Sequence, residues 1–360
     1  MKLNMNTSRL LTCLATTALV SACAEGKGSL SVILDTEDLV TNGLQPGTDG
    51  ENIQDGWTVT FDKYLVGVGD IDVKISDGHD DHGDHGDHGD HDDHGDHDDH
   101  SDHDGHDDHD DHAKEAAEAA EVYVVDLTKI GAGVALWQLD NLLEGSWSFN
   151  YKTKGAADGA TRHESAAQAD FDQMKAEDWT YMIDGTMTKA DGQSCPPAAL
   201  TSGTMKMPNG EKSANGDDCY DAPSVKFVFG APAETDFGPC EIDEKPGFSI
   251  TADQTQTVAA TIHGDHPFFN GFPEGDEGGV KRLAQWIADC DLDLDGTVTI
   301  AELQKIKPSD LAVLDMRYQL GGSPITPLNT MYDYLRAQLK TQGHYQGEGE
   351  CPADGVGHMH

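Results

Sequence analysis

Apolar and polar residues alternate in short runs along residues 29–276, and Gly, Asp, Asn or Pro separates each run from the next. The runs are rich in β-branched and aromatic side chains, and a period of two places one set of side chains on a buried face. Strands are predicted at Ser29–Asp35, Trp57–Tyr64, Val66–Ile75, Val122–Leu127, Ser146–Lys152, Thr180–Thr188, Val225–Phe229, Gly247–Thr251 and Thr257–His263. No run of about 10–15 residues at helical spacing separates successive strands, which argues against a parallel α/β sheet. The expectation is a mainly β chain whose body, residues 29–276, is an antiparallel β-sandwich or jelly-roll-like domain.

The pattern breaks twice. Residues 76–121 carry no strand signal, and their last part, Ala113–Glu121 (AKEAAEAAE), is composed of strong helix formers, so a short helical return is predicted there. From Gly278 the spacing changes to that of helices. Leu283, Trp286 and Ile287 form one apolar stripe, and Ile300, Leu303 and Ile306 form another before Pro308. Ser309 can cap a helix through Gln319, Gly321-Gly322 breaks it, and Pro327–Thr341 resumes the helical period. These segments predict a small α-helical subdomain over residues 277–346 and a flexible tail over 347–360.

Between the two apolar stripes lies Asp291–Glu302, DLDLDGTVTIAE. Calcium takes oxygen ligands from alternate positions of a twelve-residue loop. Asp291, Asp293 and Asp295 fill positions one, three and five, and Gly296 stands sixth, where the chain turns. Thr297 offers its carbonyl, Thr299 a water, and Glu302 both carboxylate oxygens. The segment resembles the EF-hand family over residues 279–308. That resemblance implies Ca²⁺ as cofactor, helices on both sides and β-pairing to a partner loop through Val298. Leu320–Thr326, with Ile325, is the candidate partner, and it has no acidic ligand set of its own.

At the other end, Lys2 and Arg9 precede an apolar run from Leu10 to Ala22. The run is too short to span a bilayer and reads as a signal peptide over residues 1–22. Val20-Ser21-Ala22-Cys23 resembles the lipobox of bacterial lipoproteins. The resemblance implies cleavage before Cys23, lipid on that cysteine, a tether over residues 23–28 and, with Ala24 following, a place at the outer membrane of the cell envelope. The formal net charge of −43 excludes phosphate-backbone binding, so no nucleic-acid partner is expected. Contact with the membrane is expected through the lipid alone, and the sequence names no protein partner.

Five further cysteines, Cys195, Cys219, Cys240, Cys290 and Cys351, form no Cys-x-x-Cys pair, which in an oxidising envelope favours disulfides over a zinc ribbon. Cys195 with Cys219, and Cys290 with Cys351, would close reasonable loops, and the odd count leaves one thiol over.

Residues 77–112 contain 12 His, 17 Asp, 6 Gly and one Ser. The histidines recur at every third position: His79, His82, His85, His88, His91, His94, His97, His100, His103, His106, His109 and His112. With no apolar side chain to offset the entropy of ordering, a long disordered insertion is expected. Imidazoles suit zinc, copper and nickel, and aspartates can orient them, so the tract reads as a multi-ion site with Zn²⁺ first and Cu²⁺ or Ni²⁺ as alternatives. Similar His/Asp-rich loops occur in periplasmic zinc-uptake binding proteins, a resemblance confined to the loop. Histidine protonates near pH 6.5, so such a tract also releases metal in acid.

A second constellation, His263, Asp265 and His266 in TIHGDHPFFNG, ends a predicted strand, and His344 is a candidate to join it. Two readings stand: a transition-metal site, or a polar loop whose histidines bond to backbone. His163 reads as solvated.

No serine elbow, phosphate loop, HExxH pair or kinase signature is present, so no catalytic residue is named and a non-enzymatic role is expected. The leading reading is a lipid-anchored envelope protein that binds Ca²⁺ and a transition metal for buffering or delivery. The alternative is a calcium-stabilised adhesion or carbohydrate-binding sandwich with the histidine tract as spacer. Trp57, Trp137, Trp147 and Trp179 would be its sugar-stacking candidates, although at strand spacing most read as core.

Overall fold

The structure, a computed structural model, describes residues 26–76, 116–157, 159–203, 206–243, 245–272, 279–314 and 317–353. The signal segment, Cys23, the histidine tract His79–His112 and the last seven residues lie outside the described residues.

The chain opens with β1 (Lys27–Thr36), a short helix α1 (Asp38–Asn42) and a long β2 (Thr58–Ile75). Then come β3 (Ala116–Ala119), β4 (Tyr123–Asp126), β5 (Val134–Leu143), β6 (Gly145–Thr153), β7 (Thr161–Arg162), α2 (Gln168–Glu177), β8 (Tyr181–Thr188) and β9 (Gln193–Ser194). The next elements are β10 (Tyr220–Asp221), β11 (Ser224–Ala231), β12 (Thr235–Phe237), β13 (Glu241–Ile242), β14 (Lys245–Pro246), β15 (Phe248–Ile250) and β16 (Thr255–Ile262). The C-terminal part holds α3 (Gln285–Ala288), β17 (Thr297–Thr299), α4 (Ile300–Leu303), α5 (Met331–Leu339), β18 (Gly343–Tyr345) and β19 (Gly349–Glu350).

The fold is mainly β, and its strands gather into two large sheets. One has seven strands in the order β14-β13-β19-β18-β16-β1-β5. The other has ten and follows the path β12-β6-β2-β8-β11-β17. Alternation explains the packing: Leu30, Val32, Leu34 and Thr36 of β1 are buried while their neighbours are not. The sheets meet through Phe149 of β6 and Tyr345 of β18, whose rings lie 5.3 Å apart. Tyr151 Oη donates to the His344 carbonyl at 3.0 Å, with the Thr261 carbonyl at 3.2 Å. A smaller apolar cluster, Leu65, Val124, Met174 and Met182 among it, lies where α2 packs on β8.

Several expectations change. The two strands predicted at Trp57–Tyr64 and Val66–Ile75 are one strand, because Tyr64, Leu65 and Val66 are buried in succession at the centre of a sheet. The predicted helical return over Ala113–Glu121 contains β3 instead, paired with Ile71–Lys74 of β2. Ala117 and Ala119 pack on the core, so tertiary contact overrides helix propensity. Pairing is not wholly antiparallel: β1 runs parallel to β16, β4 to β7 and β11 to β17.

Three short helices, α3, α4 and α5, fall within residues 285–339, while the longest, α2, lies in the body. The predicted helix over Ser309–Gln319 is replaced by single 3₁₀ turns at Pro308–Asp310 and Ala312–Leu314. Gln319 N donates to the Asn270 carbonyl at 2.7 Å, and Asn270 Nδ2 to the Arg317 carbonyl at 2.6 Å, which ties this stretch to the strand-end loop. Trp286, Leu303, Ile306 and Tyr334 share one core with the strands, and β17 and β18 are members of the two sheets.

Candidate functional site

Glu37 and His263 leave the seven-stranded sheet side by side. The parallel register of β1 and β16 ends with Thr36 opposite Ile262, so the next residues on each strand emerge together. On the other edge of β16, His344 of β18 stands opposite Thr261. The ladder extends one step further as His263 N donates to the Gln342 carbonyl at 3.0 Å. His263 lies two residues beyond Thr261 and therefore shares a face with His344. Their rings stack with centroids 3.6 Å apart and planes 8° from parallel.

Gly264 then lets the chain turn against α1, where a Cβ would lie 2.4 Å from Val40. The turn brings round His266, whose ring stands edge-on to the other two at 5.9 and 5.5 Å. One ligand nitrogen from each of the three histidines lies within 4.8 Å of the others. His263 and His266 are each 1 % exposed, and His344 is the least buried of the three.

Hydrogen bonds decide which nitrogen of two rings carries the proton. His263 Nε2 lies 3.0 Å from the Gly347 carbonyl, which can only accept. The neutral ring is therefore protonated at Nε2, and Nδ1 faces Glu37 Oε1 at 3.8 Å. His266 Nδ1 lies 2.7 Å from Thr341 Oγ1, and that hydroxyl donates its own proton to the Gln338 carbonyl at 2.8 Å. Thr341 must accept from His266, so Nδ1 is the protonated nitrogen there and Nε2 carries the lone pair. Metal-ligating histidines are typically held in this way, by a bond from the second ring nitrogen to a carbonyl or other oxygen.

Carboxylates adjoin the imidazoles. Glu37, His263 and Asp265 form a second group with ligand atoms within 4.8 Å of one another. Asp265 is fully buried, and its Oδ2 takes both Nε and Nη2 of Arg282. Arg282 also donates to the Gly50 carbonyl and lies 5.0 Å over the Phe269 ring, which stacks on His266 at 4.3 Å. The arginine thus holds one carboxylate in place and, through Phe269, one imidazole. Three imidazoles and a carboxylate form a donor set that suits zinc and copper. Because an imidazole lone pair lies in its ring plane, joint ligation by His263 and His344 requires their stacked rings to turn.

The acidic loop is built differently. Asp291, Asp293 and Glu302 bring ligand oxygens within 4.8 Å of one another. Leu294 and Gly296 take positive φ values of 61° and 87°, which curl the loop inward. Backbone N–H groups brace its carboxylates: Gly296 N donates to Asp291 Oδ2 at 2.9 Å, Leu292 N to Glu302 Oε1 at 2.9 Å and Thr299 N to Glu302 Oε2 at 2.8 Å. Asp295 Oδ1 accepts from Thr297 N at 2.7 Å. Burial pushes the Asp291 carboxyl up to about 6, with Glu302 and Asp295 adding to the rise and Gly296 N–H and Lys206 opposing it.

The helix entering this loop is a single turn, capped from a distance by Asp55 Oδ2, which accepts from Ala284 N and Gln285 N at 2.9 and 2.8 Å. Val298 does not face Ile325. It pairs in parallel with Phe227 of β11, so the expected partner loop at Leu320–Thr326 is replaced by the edge of the ten-stranded sheet.

Disulfides join Cys195 to Cys219 and Cys240 to Cys351. The expected Cys290–Cys351 pair is absent. Cys351 follows β19, which pairs with β13 beside Cys240, and Cys290 is a buried free thiol that burial pushes well above its ordinary pKa. Trp57, Trp137 and Trp147 are core residues, and the partly buried Trp179 covers Gly230, so these tryptophans form no stacking surface. His163 Nδ1 lies 2.9 Å from Ser165 Oγ in a polar loop.

Glu37 and Thr341 escape a reading of the sequence alone. Each stands at the end of an element, and only the parallel register of β1 or the packing after α5 puts it beside the histidines. Comparison of the chain with protein-family models, with curated proteins and with solved structures finds no match.

Proposed function

We propose that this chain is a non-enzymatic, cation-holding protein of the cell envelope, anchored by lipid at Cys23. In this reading Ca²⁺ occupies the Asp291–Glu302 loop, and a transition metal, zinc before copper or nickel, occupies the site of His263, His266 and His344 with Glu37 beside it. The His79–His112 tract gathers further ions and passes them to the buried histidines, which is a buffering or delivery role.

One observation carries most of the weight. Three histidines, drawn from the end of one strand and the middle of another, meet with their ligand nitrogens within 4.8 Å. The two rings with assigned tautomers keep their protons on the nitrogens bound to Gly347 and Thr341. Zinc would supply a redox-silent centre there, and the chain's own residues orient the imidazoles and shield them from water. His344, the least buried of the three, is the side from which an ion exchanges. Supply of a structural ion to the acidic loop would stiffen the edge where β17 joins β11. The adhesion reading finds no support in its tryptophans, three of which are buried.

Titration of the metal-free chain by calorimetry tests this. Zinc should bind with a stoichiometry above one and fall by one equivalent in a His263→Ala/His266→Ala variant, while calcium binding stays. Zinc binding that is unchanged by that substitution, or by removal of residues 77–112, contradicts the reading.

A further inference from the structure

Neither cation site accounts for a cavity of about 370 Å³ that opens between the disulfide-closed loop and α3. Its lining carries charge of both signs: the carboxylates Asp55 and Asp289, and the cations Lys189, Lys212 and Arg317. Lys212 is occupied with Asp218 at 2.5 Å. Lys189 gives its hydrogen bond to the Asp55 carbonyl at 3.0 Å and lies 5.9 Å over the Trp57 ring. The Arg317 guanidinium makes no hydrogen bond or ion pair among the described residues. In a chain with 23 Lys and Arg against 66 Asp and Glu, two cationic heads stand at one cavity without a carboxylate in contact.

The acidic side is rigid. Asp289 Oδ1 accepts from Cys195 N at 2.8 Å and Gln285 Nε2 at 2.9 Å, and Gln285 Oε1 accepts from Trp57 Nε1 at 3.1 Å. Asp55 is held by its two bonds to the start of α3. The Cys195–Cys219 disulfide fixes the wall beside them. Lys189 and Arg317 act on Asp55 through space, yet neither head forms an ion pair with it. Burial raises both carboxyls, Asp289 to about 7. Cations facing carboxyl groups across a cavity complement a dipolar solute, with rigidity lowering what binding costs in entropy.

We propose that this cavity binds a small zwitterion of the α-amino-acid class, its carboxylate at Lys189 and Arg317 and its ammonium at Asp55 and Asp289. The volume lies at the low end of ligand pockets, which run from about 300 to 1,000 Å³. Asp289 lies two residues before Asp291 and Asp55 braces the helix that enters the acidic loop, so the two ideas are separated by reading amino-acid binding with calcium held saturating.

The test is calorimetric titration of the full chain, in saturating calcium, with each of the common L-amino acids in turn. At least one should bind with a Kd of about 1 mM or tighter. Arg317→Gln and Lys189→Gln should each weaken it about tenfold, as loss of a charge-assisted hydrogen bond does. Blocking either end of the bound amino acid, as its N-acetyl derivative or its carboxamide, should do the same. Both substituted side chains reach solvent, so unchanged melting of the unliganded variants serves as the folding control. Absence of binding heat from every amino acid overturns the proposal. So does a ligand indifferent to both substitutions, or one that binds equally well with either end blocked.

Discussion

The histidine cluster and the acidic loop are assembled in opposite ways. The loop draws all its candidate ligands from twelve consecutive residues and needs the rest of the chain only for support: β17 against β11, and Asp55 under α3. The cluster draws on residues 37, 263–266 and 344, and it exists only where the β1–β16 and β16–β18 registers place them together. A local site can form wherever its segment folds. A distributed one depends on the whole sheet, and anything that loosens the sheet should disturb it first.

The largest expected effect follows from that dependence. The Cys240–Cys351 bridge closes 111 residues and ties β19, and through it β18 and His344, to β13. Replacing both cysteines by alanine should cost on the order of 4 kcal/mol in chemical denaturation. It should weaken zinc binding while calcium binding of the folded fraction is kept. Equal loss at both sites would show that the loop, too, depends on the sheet.

Next in size, His266→Ala should reduce zinc affinity by more than about 100-fold, the upper range seen for losses in the surrounding shell alone. Thr341→Val tests the tautomer argument. It removes the hydroxyl that accepts from His266 Nδ1 and should cost about tenfold in zinc affinity without altering calcium binding. An unchanged affinity would place the proton on the other nitrogen. Smallest is Glu302→Ala. If the loop binds at about 0.1–1 mM, as extracellular calcium modules do, millimolar calcium stabilises by about 1 kcal/mol. The variant should lose that increment, read as the difference in melting temperature with calcium and with chelator, and zinc binding should not change.

The same contrast explains what could be read in the sequence. The candidate ligands of the loop stand at fixed spacing, so Asp291, Asp293 and Glu302, which the fold brings together, could be named at once. His263, Asp265 and His266 were visible because a strand pattern ends in them, and His344 only as a candidate. Glu37 carried no local sign, since its place comes from a parallel register that alternation does not encode.

Strand β5 was also missed. The apolar residues of Val134–Leu143 do not alternate cleanly, the register slips opposite Val32/Ile33 and Gly28/Ser29, and Asn141 adopts a positive φ of 63°. The AKEAAEAAE segment failed for the reverse reason, because its composition favours a helix while β2 offers Ala117 and Ala119 a packed face. Partner choice defeated two more inferences: Val298 found Phe227 rather than a second loop, and Cys351 found Cys240 rather than Cys290.

Elemental analysis of the full chain, purified from its host without added metal or chelator, tests the central claim most directly. One calcium and more than one zinc per chain are expected. Substitution of His263, His266 and His344 by alanine should remove one zinc and leave calcium in place, and Glu302→Ala should do the reverse. A chain that emerges without divalent ions and takes none up on titration, or one that loses both metals together in either variant, contradicts it.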